Sequence, residues 1–401
     1  MKNTISKKWI HTRLDTIASV QTGISKSDNR KGEVEYLPYL RVANVQDGYI
    51  DLSEIKTIGV PKSKIERFLL KKDDILLTEG GDFDKLGRGH IWNGEIPKCV
   101  HQNHIFAVRI QDKKKLDPEF LALLFQSRHG KNYFLSCAKQ TTNLASINSS
   151  QLKLFPVHYP SINVQRKIIA NLSIWDSAIE KTENLILEKR KAYASKSNDL
   201  FTLRGNHNSC ISEFSQEISI RNNGASERVL SVTNHSGFIL PEDQFSKRVA
   251  SADLSNYKVV HKAQFAYNPS RINVGSIARL DTWDTGILSP MYTVFTLNTK
   301  KIDSDYFLHW LQSQHADYRI KQCAQGSVRE TVSFADFQQI KIPLPNLARQ
   351  KQIALSLDLM QKEISLLKKT AQYYQTEKTF LMNKLLSGEW EPPELEKEAA
   401  T

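Results

Sequence analysis

The segment Pro160-Ser-Ile-Asn-Val-Gln-Arg-Lys-Ile168 returns later in the chain as Pro345-Asn-Leu-Ala-Arg-Gln-Lys-Gln-Ile353. The offset of 185 residues between these segments continues without a gap along the helical pattern that follows each one, so that Leu200 corresponds to Leu385. A repeat that is longer than a small domain and occurs twice indicates a duplicated unit of one domain and one helix, not a solenoid of short repeats.

Length and charge narrow the class of protein. A chain of 401 residues exceeds the usual size of one hydrophobic core, so two domains are expected. The 55 Lys and Arg residues outnumber the 43 Asp and Glu residues, which gives a formal net charge of +12. This balance favours a polyanionic partner, either nucleic acid or an anionic membrane surface. A basic protein without such a partner is the alternative.

The cysteines indicate neither a zinc site nor a disulfide framework, because they show no CxxC spacing and no clustering with histidine. They are Cys99, Cys137, Cys210 and Cys323. No stretch of the sequence reaches membrane-spanning length, and the N-terminus has no apolar run of the signal-peptide type. We therefore expect a soluble, unprocessed, cytoplasmic protein that binds no metal and no membrane.

Each half of the chain reads as a mixed α/β (α+β) domain. Short strand patterns such as Asp74-Ile-Leu-Leu-Thr78 alternate with turn residues, and Asp117-Pro-Glu119 caps one predicted helix. In the second half, Tyr292–Leu297 has a strand pattern and Asp303 opens the corresponding helix. The predicted order is a first domain at 1–158, a helix at 159–204, a second domain at 205–343, a helix at 344–388 and a flexible tail at 389–401.

The two long helices carry matching apolar stripes with a spacing of three or four residues, which predicts a coiled-coil seam. About 37 residues at 1.5 Å per residue would span about 55 Å, more than a domain needs for a core helix. Because each domain leads directly into its helix, we expect the helices to pair antiparallel. Independent helices that each pack on their own domain are the alternative. The seam residues are Ile168, Leu172, Trp175, Ile179, Ile186, Tyr193 and Leu200, and Ile353, Leu357, Met360, Ile364, Leu367, Tyr374, Leu381 and Leu385.

Catalytic motifs are absent from the sequence. There is no GxxxxGK[ST] phosphate loop. Tyr267-Asn-Pro-Ser270 resembles the Asn-Pro-Pro-aromatic motif of adenine methyltransferases, but it lacks the second proline and the aromatic residue. His101 and His104 would point to opposite faces of a strand, which disfavours a shared metal. We predict no catalytic residue and no metal ligand in this chain.

Polar and basic residues in the loops are suited to nucleic-acid contact. Lys85 and Arg88 lie in a glycine-rich loop, and arginine can bind guanine through two hydrogen bonds. Arg271–Gly275 occupies the corresponding place in the second half, and Ser25–Lys31 is suited to phosphates. A solvated loop is the alternative for each. The predicted DNA contacts are Lys26, Arg30, Lys31, Arg41, Asn44, Lys85, Arg88, Gln102, Asn103, His104, Thr141, Asn143, Asn234, Arg271, Asn273, Ser327 and Arg329.

Four phrases resemble the specificity (S) subunit of type I restriction–modification enzymes: Ile75–Gly89, Val100–Phe106 and the two copies that begin at Pro160 and Pro345. The resemblance covers residues 5 to 388. It implies two target recognition domains that each read one half of a split, asymmetric double-stranded DNA site. It also implies that the two helices form an antiparallel coiled coil, which fixes the gap between the half-sites.

The resemblance further implies two methyltransferase (M) subunits docked on this chain, joined by restriction and translocation (R) subunits. S-adenosylmethionine, ATP and magnesium are implied for those partners, and no cofactor is implied for this non-catalytic subunit. The second domain is shorter and lacks the glycine-rich phrase, so its reading loop stays open. The alternatives are a solitary S-like scaffold without productive DNA recognition and a truncated part of a fused enzyme.

Overall fold

A computed structural model describes residues 9–25, 33–81, 86–141, 144–202, 207–223, 228–234, 236–243, 253–325 and 331–392. The chain divides into two compact units. Unit 1 comprises Met1–Thr182 with Thr370–Thr401, and unit 2 comprises Glu183–Lys369. Each unit therefore holds one α/β domain and part of each long helix. None of the helices in the described ranges is long and apolar enough to cross a membrane.

Unit 1 contains a four-stranded antiparallel sheet in the order β2-β9-β5-β7, a three-stranded sheet β4-β3-β8, a small sheet β10-β11-β6 and the pair β1-β12. The strands are β1 (Ile10–Arg13), β2 (Ala18–Thr22), β3 (Val34–Leu40), β4 (Lys56–Pro61), β5 (Asp74–Thr78), β6 (Gly80–Gly81), β7 (Gly89–Trp92), β8 (Val100–His101), β9 (Ile105–Ile110), β10 (Lys139–Thr141), β11 (Leu144–Ser146) and β12 (Pro156–Tyr159). The helices are α1 (Ile65–Phe68), α2 (Pro118–Gln126), α3 (Arg128–Cys137) and α4 (Ser149–Lys153), followed by the long α5 (Ile162–Leu200), which continues into unit 2.

Unit 2 repeats the main sheet as β14-β21-β18-β19 and adds the pairs β13-β22, β15-β16 and β17-β20. The strands are β13 (Asn208–Cys210), β14 (Ser215–Ile218), β15 (Ser231–Thr233), β16 (Gly237–Ile239), β17 (Lys258–His261), β18 (Phe265–Tyr267), β19 (Ile277–Arg279), β20 (Thr285–Leu288), β21 (Thr293–Leu297) and β22 (Lys341–Pro343). The helices are α6 (Ser304–Leu311), α7 (Gln314–Gln325) and α8 (Phe334–Gln338), followed by the long α9 (Leu347–Leu386), which continues into unit 1.

The helix caps confirm the sequence prediction. The Asp117 side chain accepts a hydrogen bond from the Glu119 backbone N–H at 2.9 Å, with Pro118 in the first turn. The Asp303 side chain likewise accepts hydrogen bonds from the Asp305 and Tyr306 backbone N–H groups. These bonds satisfy donors that have no partner inside the helix. Both units therefore start the corresponding helix in the same way.

The glutamine that recurs in the two repeated segments makes the same contacts in both units. The Gln165 Oε1 atom accepts a hydrogen bond from the Asp117 backbone N–H at 2.8 Å, and its Nε2 atom donates to the Lys115 and Pro160 carbonyl oxygens, both at 2.8 Å. Gln350 makes the same three bonds in unit 2: it accepts from Asp303 N–H at 2.7 Å and donates to the carbonyls of Lys301 at 3.2 Å and Pro345 at 2.7 Å. Each buried glutamine thus ties the start of a long helix to its own domain.

The two long helices pair antiparallel, as predicted. In unit 1 the rings of Trp175 and Tyr374 meet edge to face, with centroids 5.8 Å apart. In unit 2 the Lys189 ammonium lies 2.7 Å from the Glu363 carboxylate. The residue number thus rises along the first helix while it falls along the second. All predicted seam residues are buried or half-buried. Leu172 and Leu385 belong to the same core cluster of unit 1, with Leu381 packed against it.

The polar contacts between the helices differ in the two units. In unit 1, Lys378 forms an ion pair with Asp176. In unit 2, Gln361 Nε2 donates a hydrogen bond to the Tyr193 hydroxyl at 2.9 Å, and this hydroxyl lies 3.1 Å from His309 Nδ1. Tyr193 and Gln361 stand 185 residues from Lys378 and Asp176, respectively, so one repeated pair of positions holds two different interactions. The domain boundaries at 158, 204, 343 and 388 stay a prediction.

Candidate nucleic-acid interface

Three predicted segments of unit 1 meet at the backbone of Val42, which begins a short 3-10 turn after β3. The Val42 N–H donates a hydrogen bond to Gln102 Oε1 at 3.3 Å, from the turn between β8 and β9. Its carbonyl accepts one from Arg88 Nη2 at 3.4 Å, from the start of β7. The structure therefore brings Arg41, Arg88 and the Gln102–His104 turn together, although they are distant in sequence.

Asn44, one of the predicted DNA contacts, is buried and makes internal hydrogen bonds. Its side chain is 3% exposed. The Oδ1 atom accepts a hydrogen bond from the Arg41 N–H at 2.8 Å, and Nδ2 donates to the carbonyls of Asp51 at 2.8 Å and Glu54 at 3.0 Å. The amide is thus used to close the loop between Arg41 and Glu54. Asn44 therefore helps to position the backbone of Arg41.

Glu79 is a candidate contact that the sequence interpretation missed. The His104 Nδ1 atom lies 2.6 Å from Glu79 Oε2, and the His104 side chain is exposed. Asn103 Nδ2 approaches the other ring nitrogen of His104 at 3.3 Å. A carboxylate in a DNA groove can accept a hydrogen bond from the cytosine amino group. The position of Glu79 directly before the two glycines of β6 was the available signal.

His101 and His104 cannot share a ligand. His101 is buried, and burial lowers its pKa to about 4, so its imidazole is neutral near pH 7. His104 is exposed at the surface. The two imidazoles therefore differ in burial. Within the described ranges, no group of His, Cys, Asp and Glu side chains could hold a metal ion.

The hairpin β10–β11 lies beside the glycine-rich phrase. Ala145 and Ser146 of β11 pair with Gly81 and Gly80 of β6. A Cβ atom on Gly80 would lie 2.8 Å from the Ala145 carbonyl oxygen, closer than a side chain can approach. The glycine is therefore required for this contact. It places β11, which pairs with β10, directly beside β6.

In unit 2, two predicted contacts also come together. Arg271 is exposed and precedes a 3-10 turn (Ile272–Val274), which ends at Gly275 with φ of +92°. Asn234 is exposed after β15, and a Cβ atom on Gly275 would lie 3.3 Å from the Asn234 Cβ atom. Asn273 is half-buried in the same turn. Asn234 and the turn from Arg271 to Gly275 are thus neighbours, and we call these residues the unit 2 turn surface.

The near miss to a methyltransferase motif lies within the core of unit 2. Tyr267 is fully buried, and its hydroxyl donates a hydrogen bond to the Val332 carbonyl oxygen at 3.3 Å. Asn268 is 7% exposed, and its Oδ1 atom accepts a hydrogen bond from the Ser270 N–H at 3.0 Å. The side chains that would carry the chemistry are thus used to hold the turn before Arg271.

All of the predicted DNA contacts stay predictions. Lys26, Arg30, Lys31, Lys85, Asn143, Ser327 and Arg329 lie outside the described residues, as does the side chain of Thr141.

A family model described as the type I restriction modification DNA specificity domain matches residues 6–189 and 270–373. The chain is similar to the type I restriction enzyme MjaX specificity subunit of Methanocaldococcus jannaschii. The two sequences are 24% identical over 411 residues, and the match covers 96% of this chain and 94% of the relative. The chain is also similar to the Escherichia coli K12 type I restriction enzyme EcoKI specificity subunit, with 26% identity over 180 residues, which cover 43% of this chain and 38% of the relative.

Solved structures show the same fold. One match is a chain from a structure that describes complex assembly and conformational transition of the type I R-M system. It has a TM-score of 0.60 and 14% sequence identity, and the match covers 96% of this chain and 100% of that chain. The S subunit of a type I restriction-modification system from M. genitalium matches with a TM-score of 0.50 and 16% identity, covering 98% of both chains. These matches confirm a mixed α/β protein with two domains and two long helices.

Proposed function

Since the chain belongs to the family of type I restriction modification DNA specificity domains and is a DNA sequence-recognition subunit, we propose that it reads an asymmetric DNA site in two parts. Each α/β domain would read one part. The observation that carries this proposal is the repeated frame: each unit has the same main sheet and the same glutamine anchor, but a different set of polar loop residues. Two different reading surfaces on one repeated frame suit an asymmetric, divided site.

In unit 1 we assign base reading to Arg88, Glu79 and His104. The Arg88 guanidinium is held by one hydrogen bond to the Val42 carbonyl, which limits its movement before DNA binds. An arginine fixed in this way is suited to the O6 and N7 atoms of guanine. Glu79 and His104 are joined to each other and supply an acceptor and a ring nitrogen beside it. Gln102 and Asn44 position this surface from behind.

In unit 2 we assign base reading to the unit 2 turn surface. Arg271 is exposed and pairs with guanine in this proposal, whereas the Asn234 amide is suited to adenine N6 and N7. Asn234 lies beside the turn that begins at Arg271, which supports contacts of the two side chains with neighbouring base pairs. This assignment is our proposal for the second reading loop, which the sequence left open.

The chain itself carries out no catalysis in this proposal and acts in the cytoplasm as a scaffold for other subunits. Two methyltransferase subunits and the restriction subunits would bind it and would supply the sites for S-adenosylmethionine, ATP and magnesium. The sequence supports this view because it has neither a phosphate loop nor a complete methyltransferase motif. A solitary scaffold without DNA recognition is not favoured by the family match over both halves.

Methylation mapping in cells tests the proposal. Cells that carry the chain with its methyltransferase should methylate one two-part motif, and cells that lack only this chain should lose it. The purified chain alone should transfer no methyl group. Arg271→Ala should relax one half of the motif and leave the other half and the gap unchanged. The matched control is Arg349→Ala, which removes another exposed arginine of unit 2 outside the unit 2 turn surface. A motif that survives loss of the chain refutes the proposal.

A further inference from the structure

A groove of about 260 Å³ lies between β3 and β4 of unit 1. Its walls include Tyr36 and Tyr39 from β3, Arg41 just after it, and Lys56 and Gly59 from β4. The two strands are antiparallel, with Tyr39 opposite Lys56 and Tyr36 opposite Gly59. None of the predicted reading residues except Arg41 belongs to this groove, so it is a separate feature of the same domain.

The polar groups of the groove are hydrogen-bond donors. The Lys56 ammonium is exposed and lies 3.5 Å from Glu54, and the Arg41 guanidinium lies 3.4 Å from the same carboxylate. The buried Tyr39 hydroxyl and the Arg41 Nε–H have no hydrogen-bond partner among the described residues. Burial raises the pKa of Tyr39, so its hydroxyl keeps its proton. Two cations and an unpartnered hydroxyl against one carboxylate favour an anionic ligand.

Tyr36 lies on the other face of the strand pair. Its side chain is 72% exposed, although it lies within a strand and not at a loop tip. Its partner across the strand pair is Gly59, whereas Lys56 pairs with Tyr39. Because side chains alternate between the two faces of a strand, the Tyr36 ring has no part in the cationic site around Lys56 and Arg41.

We propose that this groove takes one phosphate of the DNA backbone. The phosphate binds at Lys56 and Arg41. The inference rests on the proposed function and adds to it a contact that holds the duplex without reading sequence. Arg41 connects the groove to the reading surface, because it directly precedes Val42, the residue that binds both Gln102 and Arg88.

Salt-dependent binding tests the groove with a matched pair of variants. Lys56 is the first residue of β4, and Lys62 directly follows its last residue. Both side chains are 59% exposed and both lie near a glutamate, but only Lys56 lines the groove. In the complex with the methyltransferase, Lys56→Ala should bind a duplex with the recognised motif about tenfold more weakly at low salt. The slope of log K against log salt should fall by about 0.9, the value for one phosphate contact. Lys62→Ala should change neither, and an unchanged slope for Lys56→Ala overturns the inference.

The position on the DNA can be found with neutral linkages. A methylphosphonate placed in turn at each linkage should reproduce the Lys56→Ala loss at one position, and Lys56→Ala should add no further loss there. Additive losses at every position overturn the inference. Tyr39→Phe should weaken DNA binding without lowering the thermal stability of the complex, because it removes a hydroxyl that has no partner in the free protein. A stability loss with unchanged binding contradicts a ligand role for Tyr39.

Two outcomes separate the groove from the proposed function and from a site for free anions. If the wild-type complex shows no preference for the motif over a random duplex, the proposed function fails. If that preference is intact in wild type and in Lys56→Ala, and the salt slopes agree, only the groove inference fails. Stabilisation of the DNA-free complex by inorganic phosphate that Lys56→Ala abolishes, together with unchanged DNA binding, assigns the groove to free phosphate and overturns the assignment to DNA.

Discussion

Replacing Gln165 by leucine should destabilise unit 1 by about 3 kcal/mol. The substitution removes three hydrogen bonds of 2.8 Å, each with a net value of about 1 kcal/mol, and leaves the Asp117 N–H and two carbonyl oxygens without that partner. Leucine has a similar size, so the loss reports the polar contacts and not a cavity. The homologous Gln350→Leu should destabilise unit 2 by a similar amount, because Gln350 makes the corresponding three bonds.

Hydrogen exchange measured by mass spectrometry at increasing urea concentrations can follow the free energy of unfolding in peptides of each unit. Gln165→Leu should lower it first in peptides of the unit 1 domain, and Gln350→Leu first in those of the unit 2 domain. Gln352→Leu is the control, because Gln352 is exposed on the same helix as Gln350, and its effect should stay within about 0.5 kcal/mol. A loss below about 1 kcal/mol for Gln165→Leu would refute the anchoring role of the repeated glutamine.

Other predictions concern DNA reading, pH and the pairing of the helices. In filter binding of the methyltransferase complex, Arg88→Ala should cost about 1–3 kcal/mol for the recognised motif and much less for random DNA; equal losses would make Arg88 a backbone contact. Burial lowers the pKa of both His101 and His158 to about 4. Since the unfolded chain binds these protons near pH 6.5, the free energy of unfolding should fall as pH decreases from about 6.5 to 4, by at most about 3 kcal/mol per histidine. Urea denaturation of His101→Leu should show a weaker pH dependence than wild type, and an identical dependence would contradict this account. Lys378→Ala should lower the thermal stability of the chain only slightly, because the ion pair of Lys378 with Asp176 is partly exposed. Tyr193→Phe should lower the free energy of unfolding by about 1–2 kcal/mol, because Gln361 and His309 lose the hydroxyl that they contact.

The sequence was most informative about features that depend on local patterns or on the repeat. The caps at Asp117 and Asp303 follow from residues within one turn of the helix, and the antiparallel pairing follows from the order of domains and helices. The sequence shows only that Gln165 recurs as Gln350. It does not reveal the anchoring role, because the partners Asp117 and Lys115 are about 50 residues away.

The reading surface was predictable as a set of loops but not as an arrangement. Asn44 and Arg88 both lie in loops rich in polar residues, and the sequence does not distinguish them. In the structure the Asn44 side chain is buried and hydrogen-bonded, whereas the Arg88 side chain is half-exposed. Asn44 is held by the carbonyls of Asp51 and Glu54, whereas the Arg88 guanidinium reaches the Val42 carbonyl, 46 residues away. Glu79 was missed because its pairing with His104, 25 residues away, becomes visible only in three dimensions.

The gap of the methylated motif tests most directly the claim that one chain reads two DNA segments at a spacing set by its helices. One heptad would be inserted into each long helix, after Thr182 and after the homologous Leu367. Seven residues add about 10 Å of helix, which corresponds to up to about three base pairs of DNA. We predict a longer gap with both half-site sequences unchanged. Altered half-sites with an unaltered gap would contradict the account.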